Sequence, residues 1–232
     1  MTAEPRDRNE RVRGIVFDLD GTLVDGYEGI ASAVNAARAA FGLAAMATDD
    51  VRGRVGLGLS HLMDDVLGQG RAAAGATIFR SVYDRVGVEQ TLPVPALDAT
   101  LTALRERGFR MSVASNKPAM YSIRILERLG VRPLFDTIEG PETAGAIKPD
   151  PAMILACLRA MRVGADEALY VGDMTLDADS GARAGVPVVL VCGGSSPREA
   201  LLRTGQPVIQ TLSDLLDALP RHASVRSGER GP

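Results

Sequence analysis

One stretch near the start of the chain, residues 13–23, constrains its fold more than any other. The apolar run at 15–17 is rich in β-branched and aromatic side chains, which predicts a buried strand. Asp18 and Asp20 follow that strand directly, and two carboxylates held so close raise each other's pKa unless a cation neutralises them. Mg²⁺ takes oxygen ligands and shares phosphate oxygens, so a bound Mg²⁺ ion is the simplest way to neutralise the two carboxylates. Taken alone, the two aspartates are equally well explained as caps of a strand-to-helix turn.

The composition argues against several classes of protein. The 232 residues are 46% hydrophobic, enough to bury a large core as one domain or as one domain with a smaller insert. A net charge of −3 and an aromatic content of 4% favour neither nucleic acid nor an anionic membrane as a partner. The charged N-terminus has no apolar segment of the signal-peptide kind, and no apolar run is long enough to span a membrane. Cys157 and Cys192 lack metal-type spacing and are predicted to be reduced core residues, so a cytoplasmic location is expected.

The pattern of apolar residues divides the chain into a core and an insert. Residues 1–12 and 222–232 are polar and are predicted to be flexible tails. Residues 26–94 show helical spacing and no convincing strand, which predicts an inserted helical subdomain. Residues 13–25 and 95–221 are predicted to form one discontinuous core domain. Strands alternate with helices in it, which indicates an α/β fold with a parallel sheet covered by helices on both faces.

Polar side chains follow three later strands of this predicted sheet. Ser115 and Asn116 come after one strand, Lys148 stands rigidly before a proline, and Asp173 and Asp177 follow another strand. Each could be an ordinary cap or a surface charge if seen alone. Ligands of open parallel sheets bind beyond the carboxyl ends of the strands, so these residues are expected to meet Asp18 and Asp20. The combination favours a site for a phosphate group and a metal ion.

Four segments together resemble the motifs of the haloacid dehalogenase superfamily. They are Asp18-Leu19-Asp20-Gly21-Thr22, Ser115-Asn116-Lys117-Pro118, Lys148-Pro149-Asp150-Pro151 and Gly172-Asp173-Met174-Thr175-Leu176-Asp177. The resemblance spans residues 13–219 and implies a Rossmann-like core. The chain is most similar to the phosphoglycolate phosphatase-like members, which insert a helical cap after the first motif, as residues 26–94 do here.

This resemblance implies a role for each motif residue. Asp18 is the nucleophile that forms an aspartyl-phosphate, and Asp20 is the general acid and base. Mg²⁺ is held by Asp18, the backbone carbonyl of Asp20, and Asp173. The residues expected to hold the phosphoryl group or to support the metal ligands are Ser115, Asn116, Lys148, Gly21, Thr22 and Asp177.

Some positions depart from the family pattern. Gly26 replaces a serine common in relatives, which is expected to be tolerable in a hinge. Met174 and Leu176 replace polar residues, and the loop at 193–196 is less typical of the family. The cap is expected to set substrate specificity, with the glycine-rich segment at 52–58 facing the substrate.

Two arginines of that segment, Arg52 and Arg54, are candidates for binding a substrate anion, although a solvated arginine in a loop is equally consistent with the sequence.

The predicted function is Mg²⁺-dependent hydrolysis of a small phosphorylated metabolite, with no nucleic-acid or membrane partner, by a monomer or homodimer. A phosphosugar mutase of the β-phosphoglucomutase type is the alternative, since it shares the motifs. A dehalogenase does not need Asp20, and a phosphonatase needs a cap lysine, which residues 27–94 lack. A binding protein that kept the fold without turnover is a further alternative, which no residue favours.

Overall fold

The structure is a computed structural model, and it describes residues 11–219. The two predicted tails fall outside the described residues, apart from residues 11 and 12. Within the described part of the chain, none of the helices combines the length and the apolar character needed to cross a membrane.

A six-stranded parallel sheet forms the centre of the molecule. Its strands are β1 (Gly14–Phe17), β4 (Arg110–Ala114), β5 (Ile138–Glu139), β6 (Ala168–Gly172), β7 (Val188–Val191) and β8 (Val208–Ile209). Their order across the sheet is β5-β4-β1-β6-β7-β8, and every neighbouring pair is parallel. The first strand along the chain therefore lies in the middle of the sheet.

Within residues 11–219, seven helices surround this sheet. They are α5 (Leu97–Glu106), α6 (Ala119–Arg128), α7 (Pro141–Ala144), α8 (Ala152–Met161), α9 (Thr175–Ala184), α10 (Arg198–Arg203) and α11 (Leu215–Ala218), with 3₁₀ turns at Arg132–Leu134, Ala165–Glu167 and Leu212–Asp214. Side chains alternate across β1: Phe17 packs on the cluster that contains Leu101 of α5, whereas Val16 packs on the cluster that contains Ile154 of α8. Helices cover both faces, so the predicted fold class is confirmed.

The remaining four helices form one block between β1 and α5. They are α1 (Tyr27–Ala40), α2 (Thr48–Arg52), α3 (Leu59–Leu67) and α4 (Ala72–Val86), and they are called the helical block below. Their apolar faces meet in a cluster of their own, which includes Val34, Met63 and Phe79 and reaches Tyr121 of α6. The block therefore has its own small core, which also packs against α6 of the sheet-containing part.

A short antiparallel pair joins the helical block to the sheet-containing part. β2 (Val24–Asp25) pairs with β3 (Leu92–Pro93), so the chain leaves and returns at one place. The expectation that residues 26–94 hold no strand is wrong at Leu92–Pro93. Both residues are exposed and one is a proline, so neither burial nor alternation marked this strand in the sequence.

Candidate active site

The register of the central strands brings the predicted site residues to one edge of the sheet. Phe17 lies opposite Val113 of β4 and Val171 of β6. Asp18 follows Phe17 at once, and Ser115 and Asp173 come two residues after their strands' paired valines. All three side chains are buried. The sheet therefore gathers residues from distant parts of the sequence beyond its carboxyl edge, as expected for a parallel fold.

Lys148 lies among the carboxylates of this edge, although its loop comes from another part of the chain. Its Nζ atom is 2.9 Å from Asp18 Oδ1 and 2.8 Å from Asp177 Oδ1, and it donates a 3.2 Å hydrogen bond to the Tyr170 hydroxyl. The side chain is only 2% exposed. Burial alone would lower the pKa of Lys148, but Asp177 and Asp18 more than offset burial, so its pKa lies above the usual value and the ammonium stays charged.

Three buried carboxylates surround this lysine and leave an excess of negative charge. Asp18, Asp173 and Asp177 each offer an oxygen, and these oxygens lie within 4.8 Å of one another. Burial raises the pKa of Asp18 to about 6, against the attraction of Lys148. Burial and the neighbouring charges of Asp18 and Asp177 also raise the pKa of Asp173. One ammonium does not balance three carboxylates, so the residues present fit a hard divalent cation.

Asp173 is oriented by the loops around it. Thr22 Oγ1 donates a 3.0 Å hydrogen bond to Asp173 Oδ1, and the backbone N–H of Ser195 donates a 2.6 Å bond to Oδ2. Gly21 has a φ of +85°, and a Cβ atom there would lie 2.4 Å from Asp173 Oδ2. Only glycine allows this turn to approach the carboxylate so closely. The turn residues Gly21 and Thr22 thus support Asp173.

Asp20 contacts a lysine for which the motif pattern predicted no role. Lys117 Nζ lies 3.0 Å from Asp20 Oδ2 and donates a 2.6 Å hydrogen bond to the hydroxyl of Tyr83 in the helical block. Burial alone would lower the pKa of Lys117, but the charge of Asp20 and the contact with Tyr83 raise it above the usual value. The Asp20 side chain is therefore tied to the helical block through one buried cation.

Asn116 joins three segments of the site. Its Oδ1 atom accepts a 2.7 Å hydrogen bond from the backbone N–H of Lys148, and its Nδ2 group donates a 2.6 Å bond to the carbonyl of Gly56. The Asn116 side chain thus holds the Lys148 loop in place. It also fixes the glycine-rich segment of the helical block against the strand ends.

A cavity of about 340 Å³ opens between the strand ends and the helical block. The strand ends contribute its charged and polar lining, including Asp18, Asp20, Ser115 and the two lysines. The helical block contributes mostly apolar side chains: Ile30, Val55, Leu57, Leu59, Leu62 and Phe79. The charged groups of the cavity are therefore concentrated at the sheet edge, and the opposite wall offers mostly apolar contacts.

The glycine-rich segment at 52–58 reaches this cavity, but its two arginines do not line it. Residues 55–58 form part of the wall. Arg52 donates a 2.9 Å hydrogen bond to the carbonyl of Gly193, stacks 4.2 Å above the ring of Tyr27 and pairs with Asp25. Arg54 forms a 3.0 Å ion pair with the partly exposed Asp65. Both predicted substrate-binding guanidiniums are thus engaged elsewhere in this arrangement.

Reasoning from sequence missed three residues at this site. Lys117 belongs to the motif Ser115-Asn116-Lys117-Pro118, and its position shortly after the end of a strand could have indicated a role at the site. Tyr83 and Arg80 lie one turn apart on α4 and both line the cavity. Nothing in the helical periodicity of α4 distinguishes them from ordinary interface and surface residues.

The family model for haloacid dehalogenase-like hydrolases matches residues 15–191. The chain belongs to this family. The phosphoglycolate phosphatase of Aquifex aeolicus is 36% identical over 183 residues, covering 79% of this chain and 86% of that protein. The phosphoglycolate phosphatase of Escherichia coli is 32% identical over 235 residues, covering 90% and 93%.

The fold is also found in solved structures. A haloacid dehalogenase-like family hydrolase of Streptococcus pneumoniae superposes with a TM-score of 0.83 at 22% identity, covering 90% of this chain and 98% of that one. The predicted family resemblance is confirmed, and so is the prediction that the chain is a phosphatase enzyme of this family.

Proposed function

We propose that this protein hydrolyses a small organic phosphate monoester of the phosphoglycolate type, with Mg²⁺, through an aspartyl-phosphate on Asp18. One observation carries the proposal: a buried Asp18, held by Lys148, lies at the base of a cavity that also exposes Asp20 to a ligand. The names of the relatives at 32–36% identity support the substrate class. The mostly apolar wall gives no support to a sugar-phosphate mutase, whose substrate would need several hydrogen-bonding partners.

In the first step, a carboxylate oxygen of Asp18 attacks phosphorus and the bond to the leaving alcohol breaks. Asp20 gives its proton to the departing oxygen. Lys148, the Ser115 hydroxyl and the backbone of Asn116 hold the phosphoryl oxygens, because phosphoryl transfer depends mainly on positioning and charge neutralisation.

In the second step, Asp20 takes a proton from water, and the water oxygen attacks phosphorus and releases Asp18. Mg²⁺ bound by Asp18, the backbone carbonyl of Asp20 and Asp173 would supply positive charge to the phosphoryl oxygens. Asp177 orients this set by accepting hydrogen bonds from the backbone N–H groups of Asp173 and Met174.

We propose that the helical block is the cap of this enzyme and that the boundaries 26–94 define it. Its separate apolar cluster and its position over the cavity support this division. Arg80 is the one arginine that lines the cavity among the described residues, so we propose that it binds the carboxylate of the substrate. The two free cysteines, Cys157 and Cys192, support a cytoplasmic location.

The test is phosphate release from a panel of phosphorylated metabolites, with Mg²⁺ and with a chelator, beside the Asp18→Asn variant. We expect metal-dependent release from phosphoglycolate that the variant lacks. Full activity of Asp18→Asn would contradict the proposal. Isomerisation of a sugar monophosphate without phosphate release would assign the protein to the mutases instead.

A further inference from the structure

Lys117 is the second buried lysine of the site, and its surroundings differ from those of Lys148. Its side chain is 7% exposed and its Nζ atom contacts Asp20 Oδ2 at 3.0 Å. Lys148 contacts Asp18 and Asp177 instead. Each lysine therefore serves one aspartate of the first motif, and Lys117 serves the one that transfers protons in the proposed function.

The partner of Lys117 on its other side belongs to the helical block. The Tyr83 hydroxyl, on α4, accepts a 2.6 Å hydrogen bond from Lys117 Nζ. The ring of Tyr83 stacks on Phe79 with 5.3 Å between centroids and meets Tyr121 of α6 edge-on at 5.1 Å. These ring contacts fix the hydroxyl, so Lys117 links Asp20 at the sheet edge to Tyr83 in the helical block.

The two carboxylate oxygens of Asp20 have different surroundings. Oδ2 contacts Lys117, whereas the buried Oδ1 has no hydrogen-bond partner within residues 11–219. The ion pair at Oδ2 restricts rotation of the carboxylate about its Cβ–Cγ bond. The position of Lys117 thus determines which way Asp20 faces.

We infer that Lys117 and Tyr83 form a relay that positions Asp20 for proton transfer to the leaving group. The inference rests on the proposed function. Tyr83 places Lys117 when the helical block lies over the sheet edge, and Lys117 holds the Asp20 carboxylate through Oδ2 in the position from which it gives a proton to the departing alcohol. The two lysines therefore have different roles. Lys148 binds the phosphoryl oxygens, and Lys117 positions the group that protonates the departing oxygen. Lys117 and Tyr83 are positioning residues, since both act through Asp20.

The experiment compares two esters that differ in their need for an acid. The leaving group of an alkyl phosphate is a basic alkoxide, which needs the proton of Asp20. The leaving group of p-nitrophenyl phosphate is a weakly basic phenolate, which departs without that proton. The value of kcat/KM reports the steps up to loss of the alcohol, so it isolates this proton transfer from the later attack of water.

We expect Tyr83→Phe, which keeps the ring and its stacking, to lower kcat/KM for the alkyl ester about 10-fold, and Lys117→Met about 100-fold. In both variants kcat/KM for p-nitrophenyl phosphate should fall several-fold less than kcat/KM for the alkyl ester. Tyr83→Phe added to Lys117→Met should cause no further loss, because both residues act through one contact.

Tyr121→Phe is the matched control. It removes a tyrosine hydroxyl that also joins the two parts of the molecule, through Asp84, and it leaves the ring in place. It should change both kcat/KM values by the same factor. Equal losses on both esters in Tyr83→Phe and Lys117→Met, or no loss on either, would overturn the relay. Hydrolysis that survives in Asp18→Asn on the same esters would overturn the proposed function, which is a separate result.

Discussion

At the scale of single residues, the charge balance of the site depends on Lys148. Its ammonium is buried between Asp18 and Asp177, so its removal leaves two carboxylates without a cation in a nearly dry environment. Removing one partner of a buried ion pair is far more costly than removing a surface pair, because the remaining charge cannot recover its hydration.

We expect Lys148→Met to lower the free energy of unfolding by about 3–5 kcal/mol in chelator and to lower kcat by at least about 100-fold. Urea denaturation and steady-state kinetics would measure the two effects. Arg13→Met is the control, since the ion pair of Arg13 with Glu167 is 3.7 Å long and exposed. Its loss should cost no more than about 1 kcal/mol. Wild-type stability in Lys148→Met would contradict the geometry described here.

Two arginines of the inserted segment, Arg80 and Arg54, are expected to differ in their effect on substrate binding. Arg80→Gln should raise KM for phosphoglycolate about 10-fold by removing a contact to its carboxylate. It should not raise KM for a neutral alkyl phosphate. Arg54→Gln, which breaks an exposed ion pair with Asp65, is the control and should change neither KM. If KM rose in Arg54→Gln and not in Arg80→Gln, the substrate anion would be bound by the segment at 52–58 and not by Arg80.

The motif residues could be found from sequence because strand ends are visible there. Asp18, Ser115 and Asp173 each follow a short β-rich run, and the parallel topology alone brings such positions together. The contact of Lys117 with Tyr83 has no such signal. It depends on how two separate apolar clusters pack, and Tyr83 would read equally well as an ordinary core residue.

At the scale of elements, the junction of β2 and α1 packs directly on the side chain of Asp20. A Cβ atom at Gly26 would lie 2.6 Å from Asp20 Oδ1 and 3.3 Å from Thr91 Oγ1. Gly26 itself has an ordinary φ of −104°, so the restriction comes from contact and not from the backbone. The sequence predicts that glycine is tolerable here in place of the serine common in relatives. In this structure a side chain at this position would contact Asp20, whose other oxygen contacts Lys117.

We expect Gly26→Ala to displace the Asp20 carboxylate and to lower kcat for an alkyl phosphate about 10-fold. The melting temperature should change little, because the contact is with one side chain at the cavity. Gly53→Ala is the matched control, since its nearest neighbour would be 4.0 Å away. Equal kcat values for both variants would show that Asp20 moves aside without cost.

The same scale explains which elements the sequence could reveal. The buried strands β1, β4, β6 and β7 and the helix α8 have strong apolar patterns, which make them visible in the sequence. The short elements β2, β3, α7 and α10 lack such patterns. These four elements, of two to six residues each, contain too little periodicity to distinguish them from turns.

At the scale of the whole molecule, stability, metal binding and pH are linked through the buried carboxylates. The pKa of Asp18 is about 6 in the folded protein against an ordinary value of 3.8. The folded chain therefore binds a proton more tightly than the unfolded chain does. The contribution of Asp18 to stability is present below pH 3.8 and is lost as the pH rises through about 6, unless a cation replaces the proton.

We therefore expect Mg²⁺ to raise the melting temperature more at pH 7.5 than at pH 5, because protons compete with the metal for Asp18 at the lower pH. Thermal denaturation with Mg²⁺ and with chelator at both pH values would measure this difference. The Asp18→Asn variant should show a smaller difference between the two pH values. If Mg²⁺ raised the melting temperature of the wild type equally at both pH values, Asp18 would not be a ligand of the metal.

The pairing of β2 with β3 has a consequence for how such a molecule can change over evolutionary time. Val24 lies opposite Pro93, so the chain enters and leaves the helical block at neighbouring points. The segment between those points can therefore be shortened, lengthened or exchanged without altering the order of the six-stranded sheet. The residues at the strand ends can thereby stay in place while the inserted segment, and with it the mostly apolar wall of the cavity, changes.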